Sequence, residues 1–175
     1  MGNFSMLRKH KVVLIFCVAI VGLSAIAHPA DLYKSKKCGI SFKLPVGWSI
    51  KQEDQGGIIF GSQRDGVFSV NVQEKMPDSE PYAVPESMQR KAVIEGMKFA
   101  SRYKFEYGDT KTVQFKGIEA DSSDFVSLPQ RDIRGKLLVF VKGNNMYVVN
   151  YSVNVKSNNG SMKLIQEVLD SIEFR

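Results

Sequence analysis

The sequence is short of the residues that carry out chemistry. It holds two histidines, two cysteines and one tryptophan in 175 residues, and no acidic residue before Asp31. Each scarcity excludes something. His10 lies in a leading segment that reads as a removable signal, which leaves His28 alone, at or near a mature N-terminus. Ser-His-Asp and Cys-His machinery need a histidine held in the fold as base, and a terminal residue is poorly held. One histidine and one cysteine cannot fill a zinc site. A free amine beside His28 could chelate copper adventitiously, but copper catalysis on that arrangement needs a second histidine. Cys17 falls in the apolar run, so the mature chain keeps Cys38 and no intramolecular disulfide. An exported domain of this kind must be held by its core. A lone thiol just before a strand reads as a small buried apolar residue. No phosphate-cradling GxxxxGK[ST], GxGxxG or GxSxG occurs. Neither an enzyme nor a cofactor or metal is expected.

The acidic residues offer little more. Asp121 and Asp124 in "EADSSDF" lack calcium-loop spacing, and on a strand they point to opposite faces. They are expected at a solvated strand end, and Glu53-Asp54 in "KQEDQGG" at a hairpin turn. A carboxylate pair formed across strands, as glycoside chemistry needs, stays open.

What is present begins with a leader. Arg8, Lys9 and Lys11 precede an apolar run over 12–27 that ends Ala25-Ile26-Ala27 before His28. A basic region, an apolar region and small residues at Ala25 and Ala27 are the marks of a secretory signal. Residues 1–27 are therefore expected to be cleaved before His28, leaving residues 28–175 as one domain in the periplasm. The alternative is an uncleaved anchor, although the run is shorter than the about 20 residues of a membrane span. Cys17 follows Phe16, where a lipoprotein would need a small residue. With three of the 24 basic residues gone, 21 remain against 18 acids, a net charge of +3. That is too small and too scattered to argue for nucleic acid.

The mature region alternates with period two. In "GISFKLPVGWSI" (39–50), Ile40, Phe42 and Leu44 share a face, and Trp48 and Ile50 resume it after a Pro45-Val46-Gly47 loop. The pattern predicts a hairpin whose corner is made by Pro45, Gly47 and a buried Trp48. A ligand-stacking tryptophan is the sharper alternative. Strands are predicted over 57–62, 66–73, 111–117 and 118–126, and a long hairpin over 136–155 turning at Gly143-Asn144. In that hairpin Phe140 should oppose Tyr147, Leu138 Val149, Val141 Met146, and Val139 Val148. Both faces are apolar near its turn, so both must be covered there. A helix over 86–103 should bury Met88, Ala92, Gly96, Phe99, Ala100 and Tyr103, with Val93 and Met97 at the margin and Arg90, Lys91, Glu95, Lys98 and Arg102 outside. A second helix over 161–171 should bury Ile165, Val168, Leu169 and Ile172 together with Met162 and Leu164, and "SIEFR" can add a final strand.

The opening "GISFKLPVGW", the crossover into one helix, "KGIEA", the long hairpin and the closing "LDSIEF" resemble the PsbP-like superfamily, which includes DcrB-like exported proteins. The resemblance implies an α+β fold, an α/β/α sandwich around a central antiparallel sheet of about six strands with two main helices. It also implies a non-enzymatic module that docks on an envelope protein partner. Candidate contacts are Tyr82 in a proline-rich loop and Arg131 and Arg134 in "LPQRDIRG". The alternatives are a carrier of a small apolar or lipid-like ligand and, behind it, a hydrolase using cross-strand carboxylates.

Overall fold

A computed structural model of the chain describes residues 31–54, 56–76, 83–156 and 160–174. Among them the order is β1 (Leu32–Ser35), β2 (Ile40–Lys43), β3 (Ser49–Glu53), β4 (Gly57–Ser62), β5 (Gly66–Glu74), α1 (Glu86–Ser101), β6 (Phe105–Tyr107), β7 (Lys111–Phe115), β8 (Ile118–Ser127), β9 (Ile133–Lys142), β10 (Asn145–Asn154), α2 (Gly160–Ser171) and β11 (Glu173–Phe174). The fold is α+β, with the strands paired antiparallel. The large sheet runs β3-β4-β5-β10-β9-β8-β6, and β7 pairs with the other end of β8. That makes eight strands where about six were expected, and β1-β2-β11 form a separate small sheet. β1 and β6 are four and three residues long, too short for alternation to register in the sequence.

Alternation along β9 and β10 sorts the layers. Leu137, Val139 and Val141 meet Met146 and Val148 on one face, where Val93, Ile94 and Met97 of α1 cover them. Leu138 and Phe140 point the other way with Tyr147, Val149 and Tyr151, into a larger core closed by Ile165, Val168 and Leu169 of α2 and by Ile40 and Phe42 of β2. Each fully buried side chain of this size contributes about 1.5–3 kcal/mol. An aromatic row crosses this core, Phe42 to Phe60 at 4.2 Å and Phe60 to Phe68 at 5.0 Å between ring centroids. The register of the β9–β10 hairpin is the one the alternation requires: Phe140 faces Tyr147, Leu138 Val149, Val141 Met146, and Val139 Val148. Gly143 takes the left-handed conformation of its turn at φ 62°.

The Pro45-Val46-Gly47-Trp48 corner is not a hairpin. β2 pairs with β1 and β11, whereas β3 pairs with β4, so this turn carries the chain from the small sheet into the large one. The Trp48 amide donates to the Pro45 carbonyl at 3.0 Å. Gly47 supplies φ 81°. Trp48 is buried and packs against Phe60. An alternating stretch broken by a turn reads alike whether the next strand folds back on its neighbour or crosses to another layer, and only pairing distinguishes the two.

α1 is turned about half a revolution from the expected orientation. Its buried residues are Gln89, Arg90, Ile94 and Ser101. Met88, Phe99 and Tyr103 are 61%, 68% and 81% exposed. The reason lies on β8. Asp121, expected in solvent, is 0% exposed on the face beneath α1, and a buried carboxylate must be paired. Arg90, four residues before Ile94, donates from Nε to Asp121 Oδ2 at 3.1 Å and from Nη2 to Glu119. Thr112 Oγ1 donates to Asp121 Oδ1 at 2.7 Å. Turning the helix to bury Phe99 would carry Arg90 away from that carboxylate.

Candidate binding groove

On the face of the large sheet that carries α2, the helix and the small sheet leave the β7–β8–β9 side open. Two adjoining hollows of about 450 and 590 Å³ lie there and share Lys136 and Tyr151. The first has an apolar floor of Val113, Phe115, Leu138 and Leu169 with Lys116 and Asp170 at its rim. The second passes Val126, Gly135 and Met162 and is rimmed by Glu106, Asp124, Arg131 and Arg134. Gly135 is needed at the junction, because a Cβ there would collide with the Tyr151 carbonyl and the Phe125 ring.

The polar groups are held in defined ways. Ser127 Oγ donates to Asp132 Oδ1 at 2.8 Å and accepts the Ile133 amide at 3.0 Å, pinning the loop between β8 and β9. Within it Arg131 has φ 56°, a left-handed conformation that costs a non-glycine residue about 1 kcal/mol and is sustained by those bonds. Arg131 pairs with Glu106 at 2.8 Å and Lys136 with Asp124 at 3.4 Å. Arg134, exposed beside them, makes no ion pair among the described residues. The Lys116 ammonium donates to the Asp170 carbonyl at 2.7 Å near the end of α2. Burial, and then the charge of Asp124, push the Tyr151 hydroxyl up to about 12, so the phenol stays protonated at neutral pH. The groove thus offers fixed cationic donors over an apolar floor: the chemistry to hold a carboxylate and an adjoining apolar side chain.

Arg131 and Arg134, singled out in the sequence, come together on this rim. Tyr82 lies outside the described residues, as do Ala25, Ala27 and His28. Pro45, Gly47 and Trp48 line neither hollow, and the buried Trp48 Nε1 has no acceptor among the described residues. Cys38 is buried, its amide donating to Ser35 Oγ at 3.1 Å, and burial raises its thiol pKa. The uncharged stripes of β5 and β10 lie side by side, with Asn150 opposite Ser69 and Val148 opposite Asn71, on the sheet face that α1 covers only in part. Glu119 and Asp121, both on β8, clamp Arg90 of α1. No cluster of three His, Cys, Asp or Glu suited to a metal occurs among the described residues, and no helix there is long and apolar enough to cross a membrane. Lys136 and Tyr151 were missed. Lys136 has the parity of Leu138 and Phe140, and a lysine at core parity signals that the face opens there.

No protein-family model matches the sequence and no curated protein matches it. Solved structures do. The chain is 16% identical to cyanobacterial PsbP (CyanoP) from Synechocystis sp., with a TM-score of 0.59 over 90% of this chain and 99% of that one. A protein from Bacteroides thetaiotaomicron is 14% identical, with a TM-score of 0.55 over 85% of this chain and 49% of the other. LpqN, involved in cell envelope biogenesis of Mycobacterium tuberculosis, is 14% identical, with a TM-score of 0.52 over 76% and 81%. Element order, sheet and structural likeness agree with the resemblance carried by "GISFKLPVGW" and "LDSIEF", and the chain has the PsbP-like fold.

Proposed function

We propose that the chain is an exported, non-enzymatic accessory module that docks on an envelope protein partner by taking an acidic segment of that partner into the groove. The observation that carries this reading is Arg134, without an ion-pair partner among the described residues, beside Arg131 on the rim of the second hollow, where Val126 and Met162 supply apolar surface. Arginine forks recognise carboxylates in a planar, bidentate manner, and arginine and tyrosine are enriched where binding energy concentrates. The fold it shares with a PsbP and with a protein of mycobacterial envelope biogenesis lends support to an extracytoplasmic accessory role. A carrier of an apolar ligand has less behind it, because both hollows open to solvent between charged rims.

The test is crosslinking in cells that export the protein, followed by affinity capture and mass spectrometry, with Arg131→Ala, Arg134→Ala and Tyr82→Ala run alongside. One partner, lost in the arginine variants, is the expected result. Loss in Tyr82→Ala alone would move the docking surface to the proline-rich loop. Recovery of monomer only would refute docking.

A further inference from the structure

We propose that the outward face of α1 rests on an anionic membrane surface. The helix has two apolar arcs. The inner one, with Val93, Ile94 and Met97, is core. The outer one, on the opposite side, carries Met88, Ala92, Gly96, Phe99, Ala100 and, just past the helix end, Tyr103, all exposed. Isolated exposed apolar side chains are ordinary, but a stripe at helical spacing marks a contact surface. Arg102 lies over both aromatic rings, 3.9 Å from the Phe99 centroid and 4.6 Å from that of Tyr103. It also donates to the Phe99 carbonyl at 2.8 Å and to the Tyr103 hydroxyl oxygen at 3.1 Å.

Charge selects the occupant. At 3.6 residues per turn, Lys91, Lys98 and Arg102 share one flank of the stripe with a single acid, Glu95. Lys98 pairs with Glu95 at 3.1 Å, which leaves Lys91 and Arg102 without a carboxylate among the described residues. A second copy fits poorly. Antiparallel two-fold pairing would lay this flank against its own counterpart, cation facing cation, and parallel pairing would align the helix dipoles side by side. The stripe is also a ridge on the outermost layer, while both hollows lie on the far face of the sheet. An anionic bilayer needs no groove. Met88, Phe99 and the Tyr103 ring would enter the interface while Arg102 and Lys91 meet headgroups. This face is separate from the groove, so either reading can fail without the other.

The probe is the full exported chain carrying Phe99→Trp, with vesicles of phosphatidylcholine alone and of phosphatidylcholine and phosphatidylglycerol in equal parts. Trp48 is buried and supplies a constant background. The expected result is a blue shift of the new tryptophan and quenching by brominated acyl chains on the mixed vesicles only. High salt should reverse it, and Lys91→Glu with Arg102→Glu should weaken partitioning by at least roughly tenfold while thermal unfolding stays cooperative, with only a small fall in Tm from the lost contacts at the helix end. Tyr103→Trp serves as a second reporter should Phe99→Trp fold poorly. An unchanged spectrum on both vesicles would overturn the proposal. So would equal responses to neutral and anionic lipid, or a concentration-dependent shift without vesicles, which would mean that a second copy covers the face.

Discussion

Replacing Asp121 with alanine removes the carboxylate that holds Arg90 beneath α1. Arg90 keeps only Glu119, whose side chain is 56% exposed, while its own is 4% exposed. Thr112 loses its acceptor as well. Breaking a buried ion pair from one side costs about 3–5 kcal/mol, because the remaining charge is left buried and uncompensated. The partial compensation by Glu119 places Asp121→Ala at the lower end, about 3 kcal/mol. For a chain of this size that lowers Tm by about 6–12 °C. Replacing both partners with apolar residues, Arg90→Met with Asp121→Leu, removes the stranded charge and should recover most of the loss. Urea and thermal unfolding of the unaltered protein and the two variants decide the matter. A loss under about 1 kcal/mol for Asp121→Ala, or a double variant as unstable as the single one, would refute the reasoning that the pair sets the orientation of α1.

Other expectations follow from the same geometry. Phe99→Ser should change stability by no more than about 0.5 kcal/mol, since the side chain lies on the surface; a loss of about 3 kcal/mol by urea unfolding would return it to the core. Gly47→Ala should cost about 1–2 kcal/mol by chemical denaturation, all of it backbone strain, because a Cβ there meets no atom within 4 Å. Glu53 accepts hydrogen bonds from Ser35 and Tyr33, both at 2.6 Å, which lower its pKa. Its stabilisation is complete above the ordinary carboxyl value of about 4.3 and is lost as pH falls through the lower folded value, so Glu53→Gln should flatten the acid limb of the stability profile. The same hydrogen bond, with burial, raises Tyr33 to about 12. That contribution is present below about 10 and disappears as pH rises toward the folded value, and phenolate absorbance should show a late step, shared with Tyr151, that Tyr33→Phe diminishes.

Much of the fold was legible because alternation survives wherever one face of a strand is buried. β4, β5, β8 and the β9–β10 hairpin stand where "GIIFGS", "GVFSVNVQ", "IEADSSDFV" and "KLLVFVKGNNMYVVNYSVNV" placed them. α2 was nearly as clear: its single apolar arc buries Ile165, Val168 and Leu169 as expected, although Met162, expected inside, is 37% exposed at the start of the helix. α1 was not, because two arcs compete and the deciding contact joins Arg90 to Asp121, 31 residues later in sequence. The corner at Trp48 failed for a related reason: strand pairing is a property of partners, and "LPVGW" names none. The groove was half visible. Arg131 and Arg134 drew attention as loop arginines, but the floor comes from Leu138, Tyr151 and Leu169, whose apolar character reads as ordinary core.

The most direct test of the docking account is site-resolved photocrosslinking in the native host. A photoreactive residue would replace Met162, which lines the hollow that Arg134 rims, or Asn71 on the opposite sheet face, each with and without Arg134→Glu. The account predicts one discrete adduct from position 162, abolished by Arg134→Glu, and none from position 71. An adduct from position 71 alone, or one from position 162 indifferent to the charge at 134, would contradict it.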